Sequence, residues 1–260
     1  MRSIPGWLGI LVAAFVLATW LPVLALRFFA PPVSAFMLQQ AGVGHYDYEW
    51  RDWRALGTEP ALAVIASEDQ RFFLHHGFDV GAIENALAAR AAGGRLRGAS
   101  TITQQVAKNL FLWSGRSFVR KSLEAWFTVL LEATWPKRRI LEMYLNIAEF
   151  GPGIYGVPAA AHRFFSKVPS ALSAGEAALL AAVLPNPHVY RVDRPSGYVI
   201  ERQRWILEQM RHIDRTLLVR GRRITAPSSA DTTRIHRDLG WLTGAGAEDI
   251  MQAPASSRRS

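Results

Sequence analysis

From Trp7 to Leu26 the chain reads WLGILVAAFVLATWLPVLAL, with no charged position. A helix of about 20 apolar residues is what the hydrocarbon core of a bilayer requires. This pattern predicts one membrane-spanning helix over residues 7–29. Trp7 and Trp20 suit interfacial positions, and Arg2 and Arg27 flank the segment almost evenly, so the charge rule by itself sets no topology. A cleaved signal peptide is the alternative reading. It usually has a shorter apolar region and a small-x-small cleavage site, and APPVSAF after Arg27 offers only a weak one.

Residues 30–53 form a lead-in containing Pro, Gly and Trp, and a single domain is expected over 54–225. From Pro60 to about Arg215 the apolar positions repeat at helical spacing, strand signals are sparse, and the class expected is mainly α. Thr101 with Gln104 and Ser173 with Glu176 each fit a capping box, opening TITQQVAKNLFL and AGEAALLAAVL. Pro185 and Pro187 stop the second of these helices. SFVRKSLEAWFTVLLEATW reads as a helix ended by Pro136. RRILEMYLNIAEF reads as one ended by Gly151, and YVIERQRWILEQMRHIDR as the last. AAGGRLRGA, residues 91–99, is expected to be a mobile basic loop. The tail, 226–260, is expected to be disordered.

Half of the residues are hydrophobic, and the formal net charge is +9. A basic chain favours anionic partners: nucleic acid, an anionic membrane or a phosphorylated substrate. The chain contains no cysteine, which excludes disulfides, thiolate metal sites and cysteine nucleophiles. No Walker loop, dinucleotide fingerprint, G-x-S-x-G elbow or metal-ligand spacing is present, and His75, His76 and His162 read as structural. No nucleic-acid recognition motif accompanies the charge, so nucleic acid is not an expected partner.

Three clusters could carry chemistry. Glu68 and Asp69 adjoin Phe72 and Phe73, which could desolvate a carboxyl group and raise its pKa towards the range a general base needs. Neighbours on a helix point about 100° apart, so the two carboxylates cannot share one environment. They could equally be a solvated pair at a helix end. GASTITQQVAKN gathers Ser100, Thr101, Thr103, Gln104, Gln105, Lys108 and Asn109 at a helix start, a plausible anion site. Capping accounts for Thr101 and Gln104 but not for Gln105 beside Lys108. In GRSFVRKSLEAWF, Arg116, Arg120 and Lys121 surround Glu124. The plain reading is a surface ion pair worth a few tenths of a kcal/mol. The sharper one is a diphosphate site built from arginine forks.

In this order and spacing, these segments closely resemble the peptidoglycan glycosyltransferases of family 51. EDQRFFLHHG is similar to the family's first motif, RGASTITQQVAKN to its second, RKSLE to its third, KRRILEMYLN to its fourth and GIYGVPAAAHRFFSK to its fifth. The likeness covers roughly Arg54 to Pro187. No S-x-x-K and K-T-G pair follows, and the sequence ends at Ser260, so the resemblance is to the monofunctional, membrane-anchored branch. It implies a lysozyme-like two-lobed glycosyltransferase domain preceded by one transmembrane helix, in a bacterial inner membrane, with residues 1–6 cytoplasmic and the domain periplasmic. It implies polymerisation of lipid II into β-1,4-linked glycan with inversion and release of undecaprenyl diphosphate. By motif position, Glu68 would take the proton of the acceptor hydroxyl and Glu124 would assist in the donor site. Asp69, Ser100, Thr101, Gln104, Gln105, Lys108, Asn109, Arg116, Arg120 and Lys121 would hold substrate. No cofactor is required on this reading, and Mg²⁺ is an option. The partners implied are lipid II, the growing strand, membrane lipid and other cell-wall synthesis or division proteins. Residues 109–113 and parts of 125–135 are expected to form a membrane-dipping flank. The rival readings are a lysozyme-like enzyme that cleaves glycan and a non-catalytic membrane-anchored scaffold.

Overall fold

The computed structural model describes residues 6–41, 44–91, 93, 100–115 and 117–220. The expected loop at 91–99 and the tail at 226–260 therefore lie almost wholly outside the described residues, as does Arg116. The chain is mainly helical. In order come α1 (Gly6–Phe28), α2 (Ala35–Ala41), α3 (Trp53–Leu56), α4 (Thr58–Glu68), α5 (Val80–Ala91) and α6 (Ile102–Phe111). Then follow α7 (Phe118–Thr134), α8 (Lys137–Ile147), α9 (Gly156–Phe165), α10 (Ala174–Val183), α11 (Gly197–His212) and α12 (Thr216–Arg220). Three short strands, β1 (Asp47–Tyr48), β2 (Glu149–Gly151) and β3 (Ile154–Tyr155), form a sheet in the order β1-β3-β2. β1 runs parallel to β3, and β2 antiparallel with an irregular register.

Both capping boxes form as the sequence predicts, each with its side chain and backbone bonds in place. Such a cap stabilises a helix by about 1 kcal/mol. α4 is buried continuously from Pro60 to Ala66, and it packs on α10 and α11. Alanines on both α4 and α10 allow that close approach. α6 packs on α7 and α8, and α1 lies along α7. α1 is long and apolar enough to cross a membrane. Its lower end nevertheless joins the domain, for Val23 is fully buried within the core cluster.

Two boundaries differ from expectation. The helix expected to run to Gly151 ends at Ile147, and Glu149–Gly151 is a strand instead. Ile147 and Phe150 are both buried, so the apolar spacing stays compatible with a helix while the backbone turns to pair with β3. Gly156 permits that arrangement. Its φ is +84°, and a Cβ there would meet the Asn146 carbonyl oxygen at 2.4 Å, which only glycine avoids. At the other end, α12 follows the helix expected to be last.

Candidate active site

Glu68 is the last residue of α4, and Asp69 is its C-cap. A helix C-terminus carries partial negative charge, so this is a costly place for an anion. Each carboxylate meets that cost differently. Asp69 turns inward. Its Oδ2 accepts the Ile102 N–H at 3.1 Å at the start of α6, and its Oδ1 lies 2.8 Å from His75 Nε2. His75 Nδ1 accepts the Gly77 N–H at 3.2 Å, so Nε2 carries the proton and donates to Asp69. Gly77 sits at φ +86° and its carbonyl accepts the Thr101 hydroxyl at 2.7 Å. Asp69, His75 and Thr101 thus fasten α4 to α6. Asp69, His75 and Asp79 each bring a ligand-type atom within 4.8 Å of the others. All three are already engaged in the protein: Asp79 accepts from Arg71 and from the Ala82 N–H.

Glu68 turns the other way, into a cleft of about 790 Å³. Its side chain is 15% exposed. Burial raises its pKa; a hydrogen bond from Gln105, the charge of Arg202 and a bond from Ser67 only partly offset this. Gln105 Nε2 donates to Glu68 Oε2 at 3.0 Å, and Tyr144 donates its hydroxyl to Gln105 Oε1 at 3.1 Å. The tyrosine therefore selects which end of the amide faces Glu68. Tyr144→Phe is expected to lower turnover about tenfold while the protein stays folded, since one neutral hydrogen bond is worth about 1 kcal/mol. Wild-type turnover in that variant would refute the role.

Across the cleft, α7 begins with Ser117 as N-cap and presents Arg120, Lys121 and Glu124. Arg120 Nη1 reaches Glu124 Oε2 at 2.9 Å, and Lys121 Nζ reaches Oε1 at 2.5 Å. The Glu124 side chain is only 5% exposed, so this is not the surface ion pair of the plain reading. Lys108, on α6, joins the same wall. Burial lowers its pKa, Glu124 pulls it back up, and Arg120 and Lys121 lower it further.

Of the residues singled out by sequence, Glu68, Ser100, Gln104, Gln105, Lys108, Arg120, Lys121 and Glu124 line one cleft. Asn109 lines an adjoining chamber of about 520 Å³ that shares Gln105 and Lys108 with it. Asp69 and Thr101 are taken up in fastening helices, and Thr103 turns away from the cleft to donate to buried Glu132 at 2.6 Å. Sequence reasoning missed Arg202, whose Nη2 lies 3.8 Å from Glu68 Oε1, and Tyr190 and Tyr198 in the same cleft. It also missed the orienting role of Tyr144. Arg202 is one of several basic residues along an amphipathic helix, and nothing local marks it out.

The expected membrane flank is exposed only in part. Leu110 and Leu112 are buried, as are Phe127, Leu130 and Leu131. Apolar exposure lies at Trp113 and Val129, within the expected stretches, and also at Phe118 and Val119, the first turn of α7, with Phe118 94% exposed. Within 125–135, Trp126 packs 5.9 Å from Phe15 of α1.

A partly buried carboxylate faces a cationic wall across one cleft, in a helical domain with an apolar N-terminal helix, an arrangement suited to an enzyme acting on an anionic substrate. A family profile described as "Transglycosylase" matches residues 38–211. A biosynthetic peptidoglycan transglycosylase of Xanthomonas axonopodis pv. citri is 52% identical over 223 residues, 82% of this chain and 91% of that protein. Proteins of the same description from Shewanella oneidensis (48% identical, 84% of this chain and 96% of that protein) and Aeromonas hydrophila (51%, 80% and 91%) are also similar. The chain belongs to the transglycosylase family.

Proposed function

We propose that this protein is a peptidoglycan glycosyltransferase that polymerises lipid II, with Glu68 as general base. The observation that carries the reading is the pairing of one partly buried carboxylate of raised pKa with a cationic wall across a single cleft. Glu68 takes the proton of the acceptor sugar 4-hydroxyl as that oxygen attacks the donor anomeric carbon. The bond to the lipid diphosphate breaks, and its developing charge is met by Lys108, Arg120 and Lys121. Preorganised charge in a partly dry site is where such stabilisation is largest. Glu124 orients Arg120 and Lys121. Arg202 steers Glu68 towards its ionised form. Ser100, Gln104 and Gln105 position sugar and phosphate oxygens, and the chamber beside Asn109 takes the growing strand. Arg116 belongs to the same cationic set by motif. A glycan hydrolase has no need of the cationic wall.

The protein sits in the bacterial inner membrane through α1, with the domain on the periplasmic side, and other cell-wall synthesis or division proteins are its partners. No cofactor is required, and Mg²⁺ is an optional aid to departure of the diphosphate. Purified protein incubated with lipid II, with and without a chelator, tests these points together. Polymer of alternating sugars in both samples is the expected result. Polymer lost on chelation would make the ion essential, and cleavage of finished glycan without polymer would overturn the reading.

The exposed turn at Phe118 and Val119 dips into the lipid beside the cleft. Because the chain has no cysteine, a polarity-sensitive dye on Phe118→Cys reports this site alone. Its emission is expected to shift to the blue when the protein is placed in liposomes. Water-like emission would remove the flank.

A further inference from the structure

The C-terminal ends of α1 and α7 meet, and each is closed by side chains from beyond its own helix. A helix leaves its last carbonyls without partners and carries negative partial charge there. At the end of α1, Arg139 of α8 donates from Nε and Nη2 to the Leu26 carbonyl at 3.1 and 2.8 Å, and from Nη2 to that of Phe29 at 2.6 Å. Trp135 Nε1 donates to the Val23 carbonyl at 2.8 Å. In return, Arg27 of α1 donates from Nη1 to the carbonyl of Thr134, the last residue of α7, at 2.5 Å.

Arg139 is itself held. Its side chain is 11% exposed and pairs with Glu142 at 2.8 Å. Its guanidinium lies 5.0 Å from the centre of the Trp50 ring and 5.8 Å from that of Trp135, an arrangement that favours a cation. The other Glu142 oxygen accepts the Trp53 N–H at 2.6 Å. Asn146, one turn further along the same face, donates to the Arg51 carbonyl and accepts the Arg51 N–H, each at 2.9 Å. Positions 139, 142 and 146 share one side of α8, while Tyr144 points the other way, to Gln105 and through it to Glu68. A membrane helix serving only as a tether would not need the bonds to the Val23, Leu26 and Phe29 carbonyls.

We propose that Arg139 is a positioning residue, locking the membrane helix to α8 so that the cleft is held at one height and angle above the bilayer. The anchor then sets where the reacting groups meet substrates whose lipid tails are themselves fixed in depth. Lysine at 139 keeps the charge but lacks the fork that bridges Leu26 and Phe29.

The absence of cysteine allows spin labels at Leu17→Cys on α1 and Val168→Cys on the domain, both exposed positions. The full chain in nanodiscs should give one narrow distance distribution. Arg139→Met should broaden it, with Arg139→Lys and Trp135→Phe intermediate. These milder variants carry the test if Arg139→Met does not fold. Kinetics supply a second arm, which rests on the polymerase reading. With full-length lipid substrate in bilayers, KM is expected to rise about tenfold or more at little cost in kcat, because a freely tilting cleft holds its binding-competent pose only part of the time and apparent affinity falls by that fraction. With a short-chain substrate in detergent the variants should match wild type. A broad wild-type distribution, an unchanged one in all three variants, or equal losses on both substrates would overturn the proposal. Narrow-to-broad behaviour in a protein that makes no polymer would keep the lock and remove the polymerase reading instead.

Discussion

Glu68→Gln is expected to abolish polymer formation, lowering kcat about 10²–10⁴-fold, the usual share of a general base. The protein should remain folded. Burial raises the pKa of Glu68, so the fold favours its neutral form. The stability this contributes is complete below the ordinary glutamate range and is lost as pH rises through the elevated folded value. At neutral pH the charge is a cost, and the glutamine variant should melt no lower than wild type. Activity runs the opposite way, for the base works only when ionised. The acid limb of the wild-type profile should therefore lie above the usual carboxylate range. Substantial polymerisation by Glu68→Gln, or an acid limb at an ordinary glutamate pKa, would dismiss Glu68 as the base.

Glu124→Gln is expected to cost about 10²–10³ in kcat, the scale seen when one preorganised electrostatic group is lost. Glutamine can still accept hydrogen bonds, so the geometry of Arg120 and Lys121 is partly kept while the negative charge goes. The consequence falls on Lys108. Burial lowers its pKa, and Glu124 is the largest influence pulling it back up. Without that charge the pKa of Lys108 falls further. The cationic form, which the diphosphate needs, is then lost at lower pH, and the alkaline limb should move to the acid side. A limb that stays in place while kcat falls would mean that Glu124 acts on substrate directly and not through its basic neighbours.

How legible this was in the sequence depended on the range of each interaction. Capping is local, and both capping boxes lie where Thr101 and Ser173 put them. The apolar run before Arg27 is local as well, and it is one helix. Glu124 with Arg120 and Lys121 is an i,i+3 and i,i+4 cluster, and it forms. Only its burial was hidden, because burial comes from other helices. What failed was long-range or ambiguous. Phe150 keeps a helical spacing while its backbone is a strand. The link from Tyr144 through Gln105 to Glu68 spans three helices, and no spacing rule connects them. Arg202 reaches Glu68 from far along the chain. The part of Asp69 could be guessed only in outline: helix geometry separates it from Glu68, but the Ile102 N–H it binds could not be foreseen.

The two walls of the cleft differ in how much they can move. Glu68 ends a helix buried along most of its length, and opening such a segment requires disrupting the core. Arg120 and Lys121 sit in the first turns of α7, among exposed Phe118, Val119 and Ser122, just after Gly115 at φ +114°. Segments with few buried contacts are the ones that open and close most readily. On the proposed reading the base is held still, and the part of the cationic side free to breathe is the first turn of α7, while Lys108 stays on the largely buried α6.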